Sequence, residues 1–159
     1  MLLFLALIVG GFVLVLILVA LWMIGVYNRL VRLRNMVREG FSGIDVQLKK
    51  RADLIPNLLE VVKGYAAHES QVMERVTEMR NMARNASTVG EKAKAEAGLT
   101  RALSGLFAVA ENYPDLKANQ NFMQLHSTLE AVEEELEMAR RYYNGTVRNY
   151  NISVESFPA

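Results

Sequence analysis

Residues 122–150, FMQLHSTLEAVEEELEMARRYYNGTVRNY, have the most regular apolar pattern in this 159-residue chain. Its apolar members are separated by steps of three and four residues: Phe122, Leu125, Leu129, Val132, Leu136, Ala139, Tyr143, Val147 and Tyr150. Such steps place side chains on one face of an α-helix, and a seam close to a heptad repeat, as in a coiled coil, favours left-handed bundle packing. Glutamates between residues 130 and 137 occupy the opposite face, which we interpret as solvated. The stretch predicts a long amphipathic helix over about residues 119–151.

A first, longer helix is predicted over about residues 28–84. Apolar residues follow the same helical period from Leu33 to Ala83. Pro56 lies inside this stretch, and a proline within a helix removes one backbone hydrogen bond and usually bends the helix. Because the apolar pattern keeps its phase across Pro56, we expect one bent helix rather than two separate ones.

Polar breaks delimit a second helix over about residues 90–112. Thr88 and Glu91 have the spacing of a capping box, in which each side chain bonds the backbone of the other residue. Pro114 disfavours helix in the residue before it, and Asn119 can cap the third helix. Three long helices with short connections predict an all-α fold, an elongated antiparallel three-helix bundle.

The first 28 residues differ in composition from the rest of the chain. They include 24 hydrophobic residues and no charged side chain. A helix from Leu2 to Val26 is about 37 Å long, enough to cross a hydrocarbon core of about 30 Å. The stretch lacks the basic start, short apolar core and small-residue cleavage site of a signal peptide. We therefore predict a transmembrane anchor at residues 1–27, with which the first helix can be continuous, and a helical bundle at residues 28–159.

Arginines beside the anchor predict its orientation. Four of them follow the span within twelve residues, and no basic residue precedes it: Arg29, Arg32, Arg34 and Arg38. The positive-inside rule places the N-terminus outside and the helical domain in the cytoplasm, at the inner membrane of the cell. These arginines can also attract anionic lipid headgroups of the bilayer, or they only fix the topology.

Composition argues against several kinds of function. The net charge is +1, whereas a general nucleic-acid binder is normally strongly basic. The chain has no cysteine, which excludes disulfides and thiolate metal sites. His68 and Glu69 resemble the start of a zinc-protease motif, but Val72 stands where the second histidine is needed. We predict no enzyme activity, cofactor, metal, nucleic-acid partner or small-molecule substrate.

Three groups of polar and aromatic residues are candidate structural motifs or interfaces. They are Asp45, Gln47, Arg51, Asp53, Pro56 and Asn57 around the expected bend; Tyr113, Pro114, Asp115 and Lys117 in the turn before the third helix; and Arg140, Arg141, Tyr143 and Asn144 on that helix. In one interpretation they satisfy backbone groups left unpaired at the bend and the turn. In the other they contact a second subunit or a partner protein.

Some of these residues belong to longer strings with a characteristic spacing. The strings are YNxLVxLRN at 27–35; IDVQLK at 44–49, DLIPNL at 53–58 and KGYAxHE at 63–69; and YPDLKAN at 113–119, NF at 121–122, ARRxYN at 139–144 and YN at 150–151. With these strings the chain resembles the LemA family of small bacterial membrane proteins. The resemblance implies an N-terminal anchor, a bundle of long helices and no established enzyme activity. His126 departs from the family pattern, in which we expect glutamine.

The sequence favours a non-enzymatic, membrane-anchored scaffold or interaction protein that forms homo-oligomers at the cytoplasmic membrane. The reasons are the heptad-like period with charged flanks and an anchor that concentrates subunits in two dimensions. Two alternatives stay open. One is an adaptor for a membrane protease or another envelope-stress partner, and the other is a protein that remodels membranes.

Overall fold

The structure is a computed structural model that describes residues 1–156, and this part of the chain contains helices and no strand. The elements are α1 (Leu2–Tyr65), α2 (Ser70–Asn85), α3 (Val89–Ala110), the single turn α4 (Pro114–Lys117) and α5 (Gln120–Glu155). The predicted all-α class is confirmed. Phe157 and Pro158, which we expected to end the helical part, lie outside the described residues.

The first helix runs through the apolar segment and past Pro56 without a break, as predicted, but it ends at Tyr65. The single helix expected up to residue 84 is therefore wrong, and α2 is a separate helix. Arg80 of α2 bonds the backbone of α1 at Ala52, so α2 folds back along α1. A 3.6-residue period looks the same whether a helix continues or reverses, and the reversal at residues 66–69 therefore leaves the pattern intact.

The contacts divide the described chain into two compact units. Unit 1 contains Met1–Gly43 and the chain from Ala139 onward, and unit 2 contains Ile44–Met138. Neither unit ends at residue 27, so the predicted boundary between anchor and bundle stays a prediction.

Unit 2 contains the main hydrophobic core. Its largest fully buried apolar side chains come from α1, α2, α3, α4 and α5: Ile55, Leu58, Val62, Val76, Leu99, Leu106, Leu116 and Leu136. Four long helical segments and a one-turn helix thus replace the predicted three helices. The apolar seam of α5 packs into this core at Phe122, Leu129 and Leu136, as its period indicates.

Predicted caps begin α3 and α5. The backbone N–H of Glu91 donates to the Thr88 hydroxyl at 3.2 Å, and the Thr88 N–H donates to the Glu91 carboxylate at 3.1 Å. The capping box is therefore confirmed. The pKa of Glu91 is held below its ordinary value. The main cause is the hydrogen bond from the Thr88 backbone, followed by those from the Thr88 hydroxyl and from Ser87. Asn119 likewise accepts from the N–H of Phe122 at 3.1 Å.

Unit 1 pairs α1 with the C-terminal part of α5 at close range. A Cβ atom on Gly40 would lie 3.1 Å from the Cα of Tyr143, so a larger residue here requires the helices to move apart by a few tenths of an ångström. The rings of Phe41 and Tyr143 pack beside it with centroids 5.8 Å apart. The buried seam residue on the next turn of α5 is Thr146, 4% exposed, whereas the predicted Val147 is only half-buried.

Candidate functional site

A buried arginine joins three helices of unit 2. Arg51 of α1 is 1% exposed, and one guanidinium nitrogen bonds Glu96 of α3 at 3.0 Å. Its other terminal nitrogen donates to Thr100 of α3 at 2.9 Å and forms an ion pair with Glu133 of α5 at 2.7 Å. We call these four residues the Arg51 cluster. Glu133 thus departs from the solvated acidic face that we expected on α5.

Two members of the Arg51 cluster, Arg51 and Glu96, are shielded from water. Glu96 is only 5% exposed, and Arg51 pairs with its buried carboxylate. Within the described part of the chain, Arg51 Nε and Gln47 Oε1 are buried without a hydrogen-bond partner. A buried ion pair contributes little net stability over apolar packing, but removing one partner is costly. The cluster is therefore best understood as a device that fixes the register of α1, α3 and α5.

A second ion pair lies nearly two turns before Arg51 on α1. Lys92 of α3 bonds Asp45 at 2.5 Å, and both side chains are partly exposed. The groove beside them has a volume of about 290 Å³ and includes Asp53, which is exposed, and Arg84. Charges of both signs line this groove, so it has no clear preference for an anion or a cation.

The backbone group that Pro56 leaves unpaired is bonded by a residue that our sequence interpretation did not name. Proline has no N–H, so the carbonyl of Ala52 lacks its helical donor. Arg80 of α2 fills this place, with Nε 2.7 Å from the Ala52 oxygen. Asn57, expected near this position, is exposed. No periodicity signal marks Arg80, because its partner is a backbone atom 28 residues away.

The Tyr-Pro-Asp-Leu-Lys turn contacts the end of α1 and the segment after it. The Tyr113 hydroxyl donates to Glu69 at 3.0 Å, and this bond is the main cause that raises the pKa of Tyr113. Asn119 donates to the hydroxyl of Tyr65 at 3.0 Å. Pro114 begins α4. Both bonds join side chains rather than an unpaired backbone group, so the choice between our two interpretations stays a prediction.

Several candidate residues lie exposed at the surface. Asp115 is exposed in the first turn of α4, and Lys117 lies 3.7 Å from Glu111 at the surface. The remaining exposed candidates are Arg29, Arg32, Arg34, Arg38, Arg140, Arg141 and Asn144. Tyr143 belongs to the α1–α5 seam of unit 1.

An aromatic depression on α3 and α5 was missed by sequence reasoning. It encloses about 270 Å³ and is lined by Phe107, Phe122, Met123 and His126, with Ala110, Glu111 and Lys117 completing the lining. The His126 ring meets the edge of Phe107 with centroids 4.4 Å apart, and Met123 is 49% exposed beside it. The one available signal was His126 itself, the position that departs from the family pattern.

Metal chemistry finds no support in the part of the chain that the structure describes. There, no group of three His, Cys, Asp or Glu side chains lies close enough to hold an ion. His68 is exposed in the connection between α1 and α2.

The described residues define a class of protein: an all-α chain in which α1 is long and apolar enough to cross a membrane. The sequence profile of the LemA family matches residues 40–159, and the chain belongs to that family.

Among curated relatives, Protein LemA of Metamycoplasma hominis is 27% identical over 84% of this chain. Magnetosome protein MamQ 2 of Paramagnetospirillum magneticum is 22% identical over 83% of it, and Magnetosome protein MamQ of Magnetospirillum gryphiswaldense is 20% identical over the same share. The matched part spans 58% of the length of each relative. The family and the apolar helix indicate a membrane-associated protein, and neither LemA nor MamQ is a known enzyme.

Proposed function

We propose that this protein is a non-enzymatic scaffold, anchored by α1 in the cytoplasmic membrane with unit 2 in the cytoplasm, that assembles with copies of itself. The observation that carries the proposal is the aromatic depression, which is open to water. Aromatic and methionine side chains are enriched at the centres of protein interfaces, where they supply large apolar contact areas. The adaptable methionine chain also suits contacts between irregular surfaces.

Unit 2 offers side chains of the kind that this depression fits. Val46 of α1, Met82 of α2 and Met138 of α5 are each about half-exposed. All three lie outside the depression, which is formed by α3 and the start of α5. A contact between two different patches of identical subunits is heterologous, and such contacts form rings when the rotation closes and filaments when it does not.

The anchor makes a weak contact of this kind effective. Tethering subunits to one bilayer restricts them to two dimensions and raises their effective concentration, so that individually weak contacts suffice. The arginines at positions 29, 32, 34 and 38 support the cytoplasmic orientation through the positive-inside rule.

The test compares two lysine substitutions on neighbouring residues of α5. Met123→Lys places a charge in the aromatic depression, whereas Gln124→Lys adds the same charge at an exposed position outside it. We measure the mass of the detergent-extracted protein by light scattering across the micromolar range, and we crosslink it in membranes. The wild type and Gln124→Lys should be oligomeric, and Met123→Lys should need about tenfold more protein to assemble, a change of roughly 1.4 kcal/mol.

Two results contradict the proposal. A wild type that is strictly monomeric at these concentrations and does not crosslink in membranes is not a self-assembling scaffold. If Met123→Lys assembles as readily as the wild type, the aromatic depression is not the contact between subunits. A pull-down in mild detergent that returns one dominant foreign protein, with no second copy of this chain, favours the adaptor function instead.

A further inference from the structure

The register of the two helices in unit 1 gives the position of the end of α5. Gly40 contacts Tyr143, and the half-buried residues of α1, such as Leu30 and Leu33, precede Gly40. Thr146 and Ser153, the buried residues of α5 in this unit, follow Tyr143. Unit 1 has no other helix among the described residues, so these two sets of residues cover each other and the helices run antiparallel.

This register places the end of α5 beside the end of the apolar segment of α1. Ser153 lies ten residues beyond Tyr143, about 15 Å along the helix axis. In an antiparallel pair it is level with a residue ten positions before Gly40, which is Leu30. The uncharged segment of α1 ends just before Leu30, and the first arginine is Arg29.

Two aliphatic side chains are exposed at this level. Ile152 is 54% exposed and Val154 is 55% exposed. They adjoin Ser153 on either side, and successive residues of a helix point about 100° apart, so they flank the seam between α1 and α5. Aliphatic groups in this position lose contact with water if they enter the boundary between lipid headgroups and acyl chains.

The charges of unit 1 suit an anionic surface. Its basic side chains are all arginines: Arg29, Arg32, Arg34, Arg38, Arg140, Arg141 and Arg148. Only two acidic side chains, Glu39 and Glu155, oppose them. Arginine binds phosphate oxygens through two parallel N–H groups, and basic residues near a membrane are attracted by anionic lipids.

We infer that the end of α5 is a second membrane contact, in which Ile152 and Val154 enter the bilayer interface while the arginines of unit 1 nearest this level, Arg29, Arg32, Arg34 and Arg148, bind anionic headgroups. The inference rests on the proposed membrane anchoring of α1 and does not require self-assembly. It assigns the returning helix a function at the lipid surface, in addition to packing against α1.

The absence of native cysteine makes a direct test possible. A fluorophore is attached to single cysteines at Ile152, at Val154 and, as a control, at Asn144, an exposed residue about 12–15 Å further from the anchor along α5. The full chain is reconstituted in vesicles of phosphatidylcholine with phosphatidylglycerol. Nitroxide lipids quench probes in the interface, and iodide quenches probes in water.

We expect the probes at residues 152 and 154 to be quenched severalfold more by nitroxide lipid than the probe at residue 144, and severalfold less by iodide. Iodide quenching at residues 152 and 154 equal to that at residue 144 would overturn the inference. Protection from both quenchers would overturn it too, because a second copy of the chain then covers the end of α5. Without phosphatidylglycerol, quenching by nitroxide lipid at residues 152 and 154 should weaken, and unchanged quenching would show that the arginines do not contribute to the contact.

Two further measurements separate this inference from the proposed function. Trp22, the only tryptophan, lies in the apolar segment, so quenching of its fluorescence by nitroxide lipid reports the anchor itself. Absence of that quenching overturns the anchor and the second contact together. In the Met123→Lys background the lipid quenching at residue 152 should persist, because the contact needs no second copy. Loss of that quenching would overturn the inference even if self-assembly is confirmed.

Discussion

Units 1 and 2 achieve helix packing by different means. Unit 2 packs leucine, isoleucine and valine side chains between α1, α2, α3, α4 and α5 and buries Arg51 together with the Glu96 carboxylate. Unit 1 pairs two helices through small residues such as Gly40 and Ser153, beside the rings of Phe41 and Tyr143. The comparison indicates that unit 2 supplies most of the free energy of unfolding, whereas unit 1 depends on the close approach of its two helices.

The largest expected effect is in unit 2. Arg51→Met removes the buried guanidinium that pairs with Glu96, and breaking a buried ion pair in this way costs about 3–5 kcal/mol. We expect the free energy of unfolding to fall by this amount, measured by urea titration of the full chain in detergent with circular dichroism. Arg51→Met combined with Glu96→Met should recover most of the loss, because two apolar residues then replace the buried charges.

If the double variant does not recover stability, the Arg51 cluster contributes to the free energy of unfolding through more than the ion pair between Arg51 and Glu96. Lys63→Met, which removes an exposed charge from the same helix, is the matched control. It should change the free energy of unfolding by no more than about 0.5 kcal/mol.

A smaller effect is expected where α2 meets α1. Arg80→Met removes the donor to the Ala52 carbonyl, and an unsatisfied buried carbonyl costs about 1–3 kcal/mol. Pro56→Ala restores the helical N–H that Arg80 replaces. In the Pro56→Ala background, Arg80→Met should therefore be nearly neutral. Equal effects of Arg80→Met with and without Pro56 would mean that Arg80 contributes through its aliphatic packing alone.

Features of the fold that depend on local sequence could be predicted. The continuity of α1 across Pro56 followed from an apolar pattern that keeps its phase, and the capping box at Thr88 followed from residue types three positions apart. In α5 the pattern predicted the seam up to Leu136. It failed at Thr146, because the buried residue is this threonine and not the predicted valine beside it. The apolar pattern does not show which of two adjacent residues faces the close helix contact at Gly40.

Features that depend on distant residues could not be predicted. Arg51 was a candidate, but its partner Glu96 is 45 residues away and was not distinguished from other acidic residues. The reversal between α1 and α2 was missed because Gly64 and the polar residues after it resemble an exposed helix face. The aromatic depression depends on how α3 packs against α5, and the sequence pattern of a single helix does not show this packing.

In unit 1 the comparison can be tested with two glycines of one helix. Gly40→Ala brings a methyl group within 3.1 Å of the Tyr143 backbone, whereas a Cβ atom at Gly43 meets nothing within 4 Å. Replacing a helical glycine by alanine normally stabilises by about 0.5–1 kcal/mol. We expect that gain for Gly43→Ala and a loss of about 1 kcal/mol for Gly40→Ala. Hydrogen exchange should locate the loss in unit 1, and equal gains for both variants would contradict the close approach.

The smallest expected effect is a loss of local stability at acidic pH, and it is confined to unit 2. Hydrogen bonds from Thr88, and then from Ser87, hold the pKa of Glu91 below its ordinary value. A group whose pKa is lowered in the folded state stabilises fully above its unfolded pKa and loses that contribution as the pH falls through its folded pKa. The start of α3 should therefore become less protected from hydrogen exchange between about pH 5 and 3, and Glu91→Gln should flatten this dependence. Amides of the α1–α5 seam in unit 1 should not respond to Glu91→Gln, so a change there would contradict the assignment of this acid response to unit 2.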